Sequence, residues 1–355
     1  MKPLRLGTRP SALALWQANW TRDALEANGV PVEIVKIHTK GDVDRNSAIV
    51  NLGAQGVFTK EIQRALLLGE IDLAVHSLKD LPVERIDGLR LTAVPVRADF
   101  RDAFVSIRFA TLDELPPGAV VATSSMRRQS QLLRRSNGAW DVRPVRGNVE
   151  TRLKKLDDGE FDAMILASAG LNRLGFGSRI RHFLERPDFL PAVGQGALGL
   201  ETRADDAETI ARVAPLADEA TFLSVLAERS LLATLQGGCL VPIGALGSLS
   251  SSTQTAQPSQ NAENVQNSET AQTNADARQT LRLDAQILSF DGKTAFQTVA
   301  TQTFDAALAD ADKQEIAEQL GRDAAQTLLD QGASDLVAEI RRIRDERAGL
   351  NAPQN

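Results

Sequence analysis

Short apolar runs alternate with longer amphipathic ones over the first half of the chain. Leu4–Gly7, Val32–Thr39, Ile71–His76, Leu89–Val94, Val120–Ala122 and Ala163–Ala167 are brief and aliphatic, as buried strands are. Between them, Ser11–Asn28, Phe58–Leu68, Met126–Arg134 and Val149–Gly159 carry apolar residues at helical spacing. Strand and helix in alternation predict an α/β fold, its mostly parallel sheet covered by helices on both faces. The pattern restarts after about residue 97, which predicts two similar lobes. Residues 1–96 and 197–216 form the first and 97–196 the second, with Pro191-Ala-Val-Gly-Gln-Gly196 crossing back between them. Residues 217–355 read as a smaller α+β domain. Its pattern is a helix at Asp218–Leu235, a Gly237-Gly238-Cys239 turn, and a strand at Pro242–Gly247. A hairpin follows, Leu281–Ser289 and Thr294–Thr303 around Asp291-Gly292, then helices at Lys313–Gln331 and Ser334–Arg347. Residues 248–280 break the pattern. They are largely Ser, Thr, Gln, Asn and Ala, too poor in apolar surface to offset the entropy of ordering, and predict a disordered insertion.

Composition narrows the function classes. The chain has 355 residues, of which 43% are hydrophobic and 24% charged, with a net charge of −6. That balance is globular and gives no global reason to bind nucleic acid or an anionic membrane. No apolar run approaches the roughly 18–20 residues that span a bilayer. The opening Met-Lys-Pro-Leu-Arg-Leu-Gly lacks an apolar leader core, so a cytoplasmic protein is expected. One cysteine cannot form an internal disulfide, and His38, His76 and His182 have no metal-ligand spacing, so no metal is expected. The 31 arginines far outnumber the 9 lysines. Residues 97–186 hold 14 Arg and 2 Lys against 11 Asp plus Glu, a basic middle in an acidic chain. Arginine offers a planar fork for carboxylate or phosphate, so an anionic ligand is expected there.

The arginines fall where open α/β sheets bind ligands, beyond the carboxyl ends of strands. Arg9 follows the first strand, Arg127 and Arg128 follow Thr123-Ser124-Ser125, Arg146 precedes a helix containing Arg152, and Arg173 follows Ser168-Ala-Gly-Leu-Asn. A helix start favours anions, so repeated cations there break a local rule, as functional sites do. Two neighbours such as Arg127 and Arg128 point in different directions, and both need partners. At the end of Ile71–His76, Ser77, Lys79 and Asp80 meet before Pro82. Asp80 beside cations stays ionised and is suited to stabilising a substrate cation or exchanging a proton with it. His76 reads as a packed histidine. Cys239 lies in Leu235-Gln-Gly-Gly-Cys-Leu-Val-Pro-Ile-Gly244. A lone cysteine is most often a small buried residue, whereas two glycines before it suit a tight, specific loop; these residues leave both readings open. Gly194-Gln-Gly-Ala-Leu-Gly199 matches GxGxxG but opens no helix after a first strand, so it is no dinucleotide site.

Six segments together resemble the porphobilinogen deaminase (hydroxymethylbilane synthase) family. They are Gly7-Thr-Arg-Pro-Ser-Ala-Leu-Ala-Leu-Trp-Gln17, Ala74-Val-His-Ser-Leu-Lys-Asp-Leu-Pro82, Thr123-Ser-Ser-Met-Arg-Arg-Gln129, Arg146-Gly-Asn-Val149, Leu190-Pro-Ala-Val-Gly-Gln-Gly-Ala197 and Gly237-Gly-Cys-Leu-Val-Pro-Ile-Gly244. The resemblance implies two lobes like periplasmic solute-binding proteins, with mixed, mostly parallel sheets, and a third domain carrying a cofactor. It implies head-to-tail condensation of four porphobilinogen molecules with loss of ammonia, then hydrolysis to hydroxymethylbilane. The chain would be primed on a dipyrromethane held through a thioether to Cys239. By the same resemblance Asp80 is the catalytic carboxylate, and Lys79, Ser77, Arg127, Arg128, Thr123 and Ser125 hold the cofactor. Arg9, Ser11, Arg146, Arg152, Arg173 and Gln195 then bind substrate. A monomer is expected, with no nucleic-acid or membrane partner. One departure is the Gly53-Ala-Gln-Gly56 loop, where the family commonly has Gly-Gly-Lys-Gly; Gln55 removes a cation and Lys60 remains nearby. Two rival readings fit less well. A non-reacting anion-binding protein of the same shape does not account for Cys239 in its loop. A nucleic-acid binder conflicts with the acidic total and the 4% aromatic content.

Overall fold

The computed structural model describes residues 2–38, 59–235, 241–253, 277–339 and 342. Its strands, in chain order, are β1 (Leu4–Thr8), β2 (Val32–Lys36), β3 (Leu73–Ser77), β4 (Leu89–Ala93), β5 (Asp102–Val105), β6 (Val120–Ala122), β7 (Asp141–Arg143), β8 (Ala163–Ala167), β9 (His182–Leu184), β10 (Leu198–Arg203), β11 (Ile243–Thr253), β12 (Ala277–Leu288) and β13 (Ala295–Asp305). Its main helices are α1 (Ala12–Ala27), α2 (Lys60–Leu67), α3 (Met126–Arg135), α4 (Val149–Asp157), α5 (Ser168–Arg173), α6 (Ala207–Val213), α7 (Glu219–Thr234) and α8 (Asp310–Leu328).

Helix starts follow the polar residues that precede them. Ser11 caps α1 by accepting from the Ala14 amide, Ser125 caps α3, Asn148 caps α4 and Asp218 caps α7. Each side chain satisfies a donor that the first helical turn leaves unpaired.

The first lobe has the sheet order β2-β1-β3-β10-β4 and the second β7-β6-β8-β5-β9. In each, three neighbouring strands run parallel and the fourth is antiparallel to both its neighbours. The two sheets are thus copies of one pattern. Their antiparallel strands, β10 and β5, are the ones the interlobe crossings feed. Residues 94–101 lead into β5, and residues 185–197 lead back into β10. Both crossings therefore enter the middle of a sheet, next to the carboxyl ends of β3 and β8.

The third unit is an antiparallel sheet, β11-β12-β13, covered by α7 and α8. Leu223, Ala227 and Leu231 of α7 share a core with Leu281, Leu283 and Leu320. The expected insertion at 248–280 is corrected at both ends. Residues 248–253 continue β11 and pair with 277–282 of β12, out to Thr253 opposite Ala277. Ser and Thr tolerate extended backbone well, and the buried alternation of Leu281 and Leu283 carries the ladder outward. Residues 254–276 lie outside the described residues.

Candidate active site

Asp80 ends a single 3-10 turn, Leu78–Asp80, at the carboxyl end of β3. Leu78 is buried and anchors this turn, and its amide donates to the Ala197 carbonyl at 3.0 Å. Asp80 is exposed. It lines a pocket with Arg9, Ser11, Gln17 and Ser77, and the Ser77 hydroxyl accepts from Gln17 Nε2 at 2.7 Å. His76 lies beneath. Its Nε2 is 3.0 Å from Glu201 Oε2, and Gln63 donates to the same buried carboxylate, so His76 is packed in a structural network as its sequence context suggested.

A second cluster forms around Asp102 on β5. Arg127 Nη1 donates to Asp102 Oδ2 at 2.7 Å, and Arg128 Nε donates to Oδ1 at 2.9 Å. Gln195 Nε2 also donates to Oδ1, at 2.8 Å. All four residues are buried. Burial alone would raise the Asp102 carboxyl, but the Arg127 and Arg128 charges and their hydrogen bonds hold it well below the usual carboxylate range. Both arginines find partners, as their adjacency requires; they share one acid and hold different carbonyls. Asp102 had no signal of its own in the sequence beyond being a charge inside an apolar strand, Asp102-Ala-Phe-Val105.

The remaining bonds fix these guanidinium groups in place. Arg127 Nη1 also donates to the Leu190 carbonyl at 2.5 Å, and Arg128 Nη1 to the Ile165 carbonyl at 3.1 Å. Arg127 Nε is buried and has no partner among the described residues. Thr123 is buried, with its Oγ1 accepting from the Ser125 amide at 3.2 Å. Lys79 links the two clusters electrostatically. Loss of hydration pushes its ammonium below its ordinary value; Arg128 and Arg127 act in the same direction, against Asp80 and Asp102. Arg152 is lowered by burial and by Arg128, and its Nε donates to the Gly147 carbonyl at 2.8 Å.

Arg173 sits between the lobes. Its Nη2 donates to the Gly196 carbonyl at 2.8 Å, and its guanidinium lies 5.5 Å from the Trp16 ring on α1. Its Nε is buried without a partner among the described residues, and burial lowers its value to about 10. Arg146 is exposed, with no side-chain hydrogen bond among the described residues. Cys239 and Gln55 lie outside the described residues. The flanks of the cysteine segment are fixed, since Leu235 and Val241 both pack in the core of the third unit. Beyond it, the Ala245 amide donates to the Pro191 carbonyl at 3.0 Å, one residue from the carbonyl that Arg127 holds.

The crossing glycines have backbone reasons to be glycine. Gly194 has φ +69°, and a Cβ there would stand 3.2 Å from the Lys79 amide nitrogen. Gly196 has φ +87°, and a Cβ there would stand 2.6 Å from the Ala98 carbonyl oxygen. The GxGxxG match is thus part of the interlobe crossing and the start of β10, and not a nucleotide loop.

Cations outnumber acids around these clusters. Arg127, Arg128, Lys79 and Arg152 are balanced nearby by Asp102 and Asp80. Among the described residues the buried Nε–H groups of Arg127 and Arg173 are unpartnered and add to the donors of the site. Such a site fits a ligand bearing several carboxylates. Among the described residues no group of His, Cys, Asp and Glu could hold a metal ion, and no helix is long and apolar enough to cross a membrane.

Comparison with known proteins bears on these residues. Residues 4–211 match the family described as "Porphobilinogen deaminase, dipyromethane cofactor binding domain", and residues 222–256 match "Porphobilinogen deaminase, C-terminal domain". Among solved structures, a methionine-binding protein is 16% identical, with a TM-score of 0.39 over 65% of this chain and 93% of its own. A periplasmic substrate-binding protein of an ABC transporter from Coxiella burnetii is 15% identical, with a TM-score of 0.38 over 63% and 94%. The immunogenic lipoprotein A from Vibrio vulnificus is 12% identical, with a TM-score of 0.37 over 60% and 94%.

Proposed function

Because the chain belongs to the porphobilinogen deaminase family, whose role is in tetrapyrrole biosynthesis, we propose that it is a hydroxymethylbilane synthase, a transferase condensing four porphobilinogen molecules head to tail. The observation that carries this reading is that the crossing joins the Asp80 turn to the Asp102-held arginine pair: Gly194 lies against the Lys79 backbone, and its neighbour Gln195 donates to Asp102. In each step the aminomethyl C–N bond of a porphobilinogen breaks and ammonia leaves. A C–C bond then forms to the free α-carbon of a pyrrole, which loses its proton. Hydrolysis then frees the finished chain: the methylene of its first-added unit exchanges its C–C bond for a C–OH bond, the carbon it leaves takes a proton, and hydroxymethylbilane results.

The dipyrromethane, held through a thioether to Cys239, supplies the pyrrole carbon from which the chain grows. Lys79, Ser77, Arg127, Arg128, Thr123 and Ser125 would hold its acetate and propionate groups. Arg127 and Arg128 suit this because Asp102 fixes both guanidinium groups before any ligand arrives, so little ordering remains to be done. Arg9, Ser11, Arg146, Arg152, Arg173 and Gln195 would bind the incoming porphobilinogen. Gln195 does so indirectly, through Asp102 and Arg128. Asp80, exposed at its pocket, stabilises the positive charge that develops on the pyrrole as ammonia departs, and can take the proton released when the new bond forms. We further propose that the enzyme is a cytoplasmic monomer.

The test is turnover of porphobilinogen by the purified full-length chain, read as ammonia release and as porphyrin after oxidation. Asp80→Ala is expected to lose about a hundredfold or more in kcat. Turnover by Asp80→Ala at the wild-type rate would remove Asp80 from the chemistry.

A further inference from the structure

Helix α7 of the third unit presents two neighbouring faces to the rest of the molecule. On one, Thr221 and Glu228 grip the crossings. Glu228 accepts from Arg97 at 2.6 Å and from the amides of Gly194 and Gly247 at 2.7 and 2.8 Å. The other face carries Phe222, Val225 and Arg229, spaced three and four residues apart. Phe222 and Val225 pack against Leu78 and Leu81, the two apolar residues that flank Lys79-Asp80. Arg229 continues the same contact in polar form. Its Nη1 donates to the Leu81 carbonyl at 3.0 Å and its Nη2 to the Pro82 carbonyl at 2.7 Å.

Two features set Arg229 apart from an ordinary packed arginine. It has no carboxylate within salt-bridge distance among the described residues, although burial lowers its guanidinium to about 10. The charges of Glu201 and Glu84 reach it without a direct ion pair, which leaves a buried cation only partly compensated. It also stands at a gap. A cavity of about 680 Å³ opens between the first lobe and the third unit, and Leu81, Pro82 and Arg229 all line it. The backbone just after Asp80 is therefore held to α7 by the buried Leu81 side chain and, at the cavity, by one forked side chain on its carbonyls. Pro82 has no amide hydrogen with which to tie the chain down.

We propose that Arg229 is a positioning residue for the reaction: it braces the Leu81-Pro82 backbone against α7 so that Asp80 keeps a fixed place relative to the helix that ends five residues before Cys239. This rests on the reading of Asp80 as the group that acts on porphobilinogen. Two adjacent residues, Glu228 and Arg229, then let one helix register both the crossing and the catalytic turn. A fork to two successive carbonyls fixes orientation as well as distance, which a lysine cannot do.

The experiment uses the full chain, with Arg229→Gln and Arg229→Lys made alone and together with Asp80→Glu. Displacement of a catalytic group by about an ångström can lower the rate a hundredfold. Arg229→Gln is expected to lower kcat about tenfold or more while KM for porphobilinogen stays within about threefold. Hydrogen exchange of the amides from 77 to 84 should quicken, while β8 stays protected. Arg229→Lys should lose about two- to tenfold. In the Asp80→Glu background, removing Arg229 should cost no more than about twofold, because its effect passes through Asp80. Equal losses in both backgrounds, or exchange that rises across all three units, would overturn the assignment. So would an Arg229→Gln enzyme with kcat within about twofold of wild type. If Arg229→Gln does not fold, Arg229→Lys is compared in the same two backgrounds: a loss confined to the Asp80 background supports the assignment, and an equal loss in both overturns it. A wild-type chain that fails to turn over porphobilinogen would instead count against the functional reading itself.

Discussion

Arg127 and Arg128 are neighbours on the first turn of α3, yet both reach the same carboxylate, Asp102. Their presence after Thr123-Ser-Ser was legible in the sequence. Their geometry was not, because an acid on a strand about 25 residues earlier carries no local pattern that ties it to them. Burying three charges is tolerable only while they satisfy one another. Asp102→Asn leaves two buried guanidinium groups short of an acid and is expected to lower stability by about 3–5 kcal/mol, read by urea unfolding. Asp72 makes a milder case at the other side of the first lobe. Arg5 donates to it from the backbone amide and side chain, and Arg203 from its side chain. Burial raises its carboxyl, but the Arg5 hydrogen bonds and charge outweigh this and bring it down to about 2. A carboxyl lowered on folding contributes stability above its unfolded value near 3.8, and that contribution is lost as pH falls toward 2. Asp72→Asn should therefore be less stable than wild type at neutral pH and should lose less between about pH 4 and pH 2, in urea midpoints taken across that range.

At the scale of elements, the long amphipathic helices and the aliphatic strands β1, β3 and β8 were legible, since their apolar periodicity is strong. The short strands β5, β7 and β9 were not. Each has three or four residues, too few for a period to show, and each is held by pairing to neighbours far away in sequence. The same reason explains the misread ends of the 248–280 segment, where pairing overrides a polar composition. Two predictions belong to this scale. Replacing residues 254–276 by a four-residue turn joins Thr253 to Ala277 in register, and the shorter closure should leave turnover unchanged and raise stability by about 1–2 kcal/mol. Gly196→Ala puts a side chain at φ +87° and against the Ala98 carbonyl. It is expected to lower stability by about 1–3 kcal/mol, read as a lower thermal midpoint, with turnover reduced because the crossing is distorted.

At the scale of the whole molecule, the chain's charge is separated by place. A basic second lobe with its bordering crossings sits in an acidic chain of net −6, and the charges of its Arg127 and Arg128 act on Lys79 in the Asp80 turn. The two lobes match in topology, and the third unit bonds to the first through Arg229, to the returning crossing through Glu228 and Ala245, and to Arg186 through Asp284. The lobes were legible from the repeat of strand and helix. The straddling role of α7 was not, because its contacts lie on two faces that hydrophobic periodicity does not separate. The proposed chemistry converges on Cys239, whose flanking residues the third unit fixes beside the crossing that Arg127 holds. The most direct test is the intact mass of the purified full-length chain, compared with Cys239→Ser. The expected result is a wild-type mass above that of the 355-residue sequence by one dipyrromethane unit, a cysteine that does not titrate with thiol reagents, and an unmodified Cys239→Ser chain without turnover. An active wild-type chain of unmodified mass with a freely titrating Cys239 would contradict it.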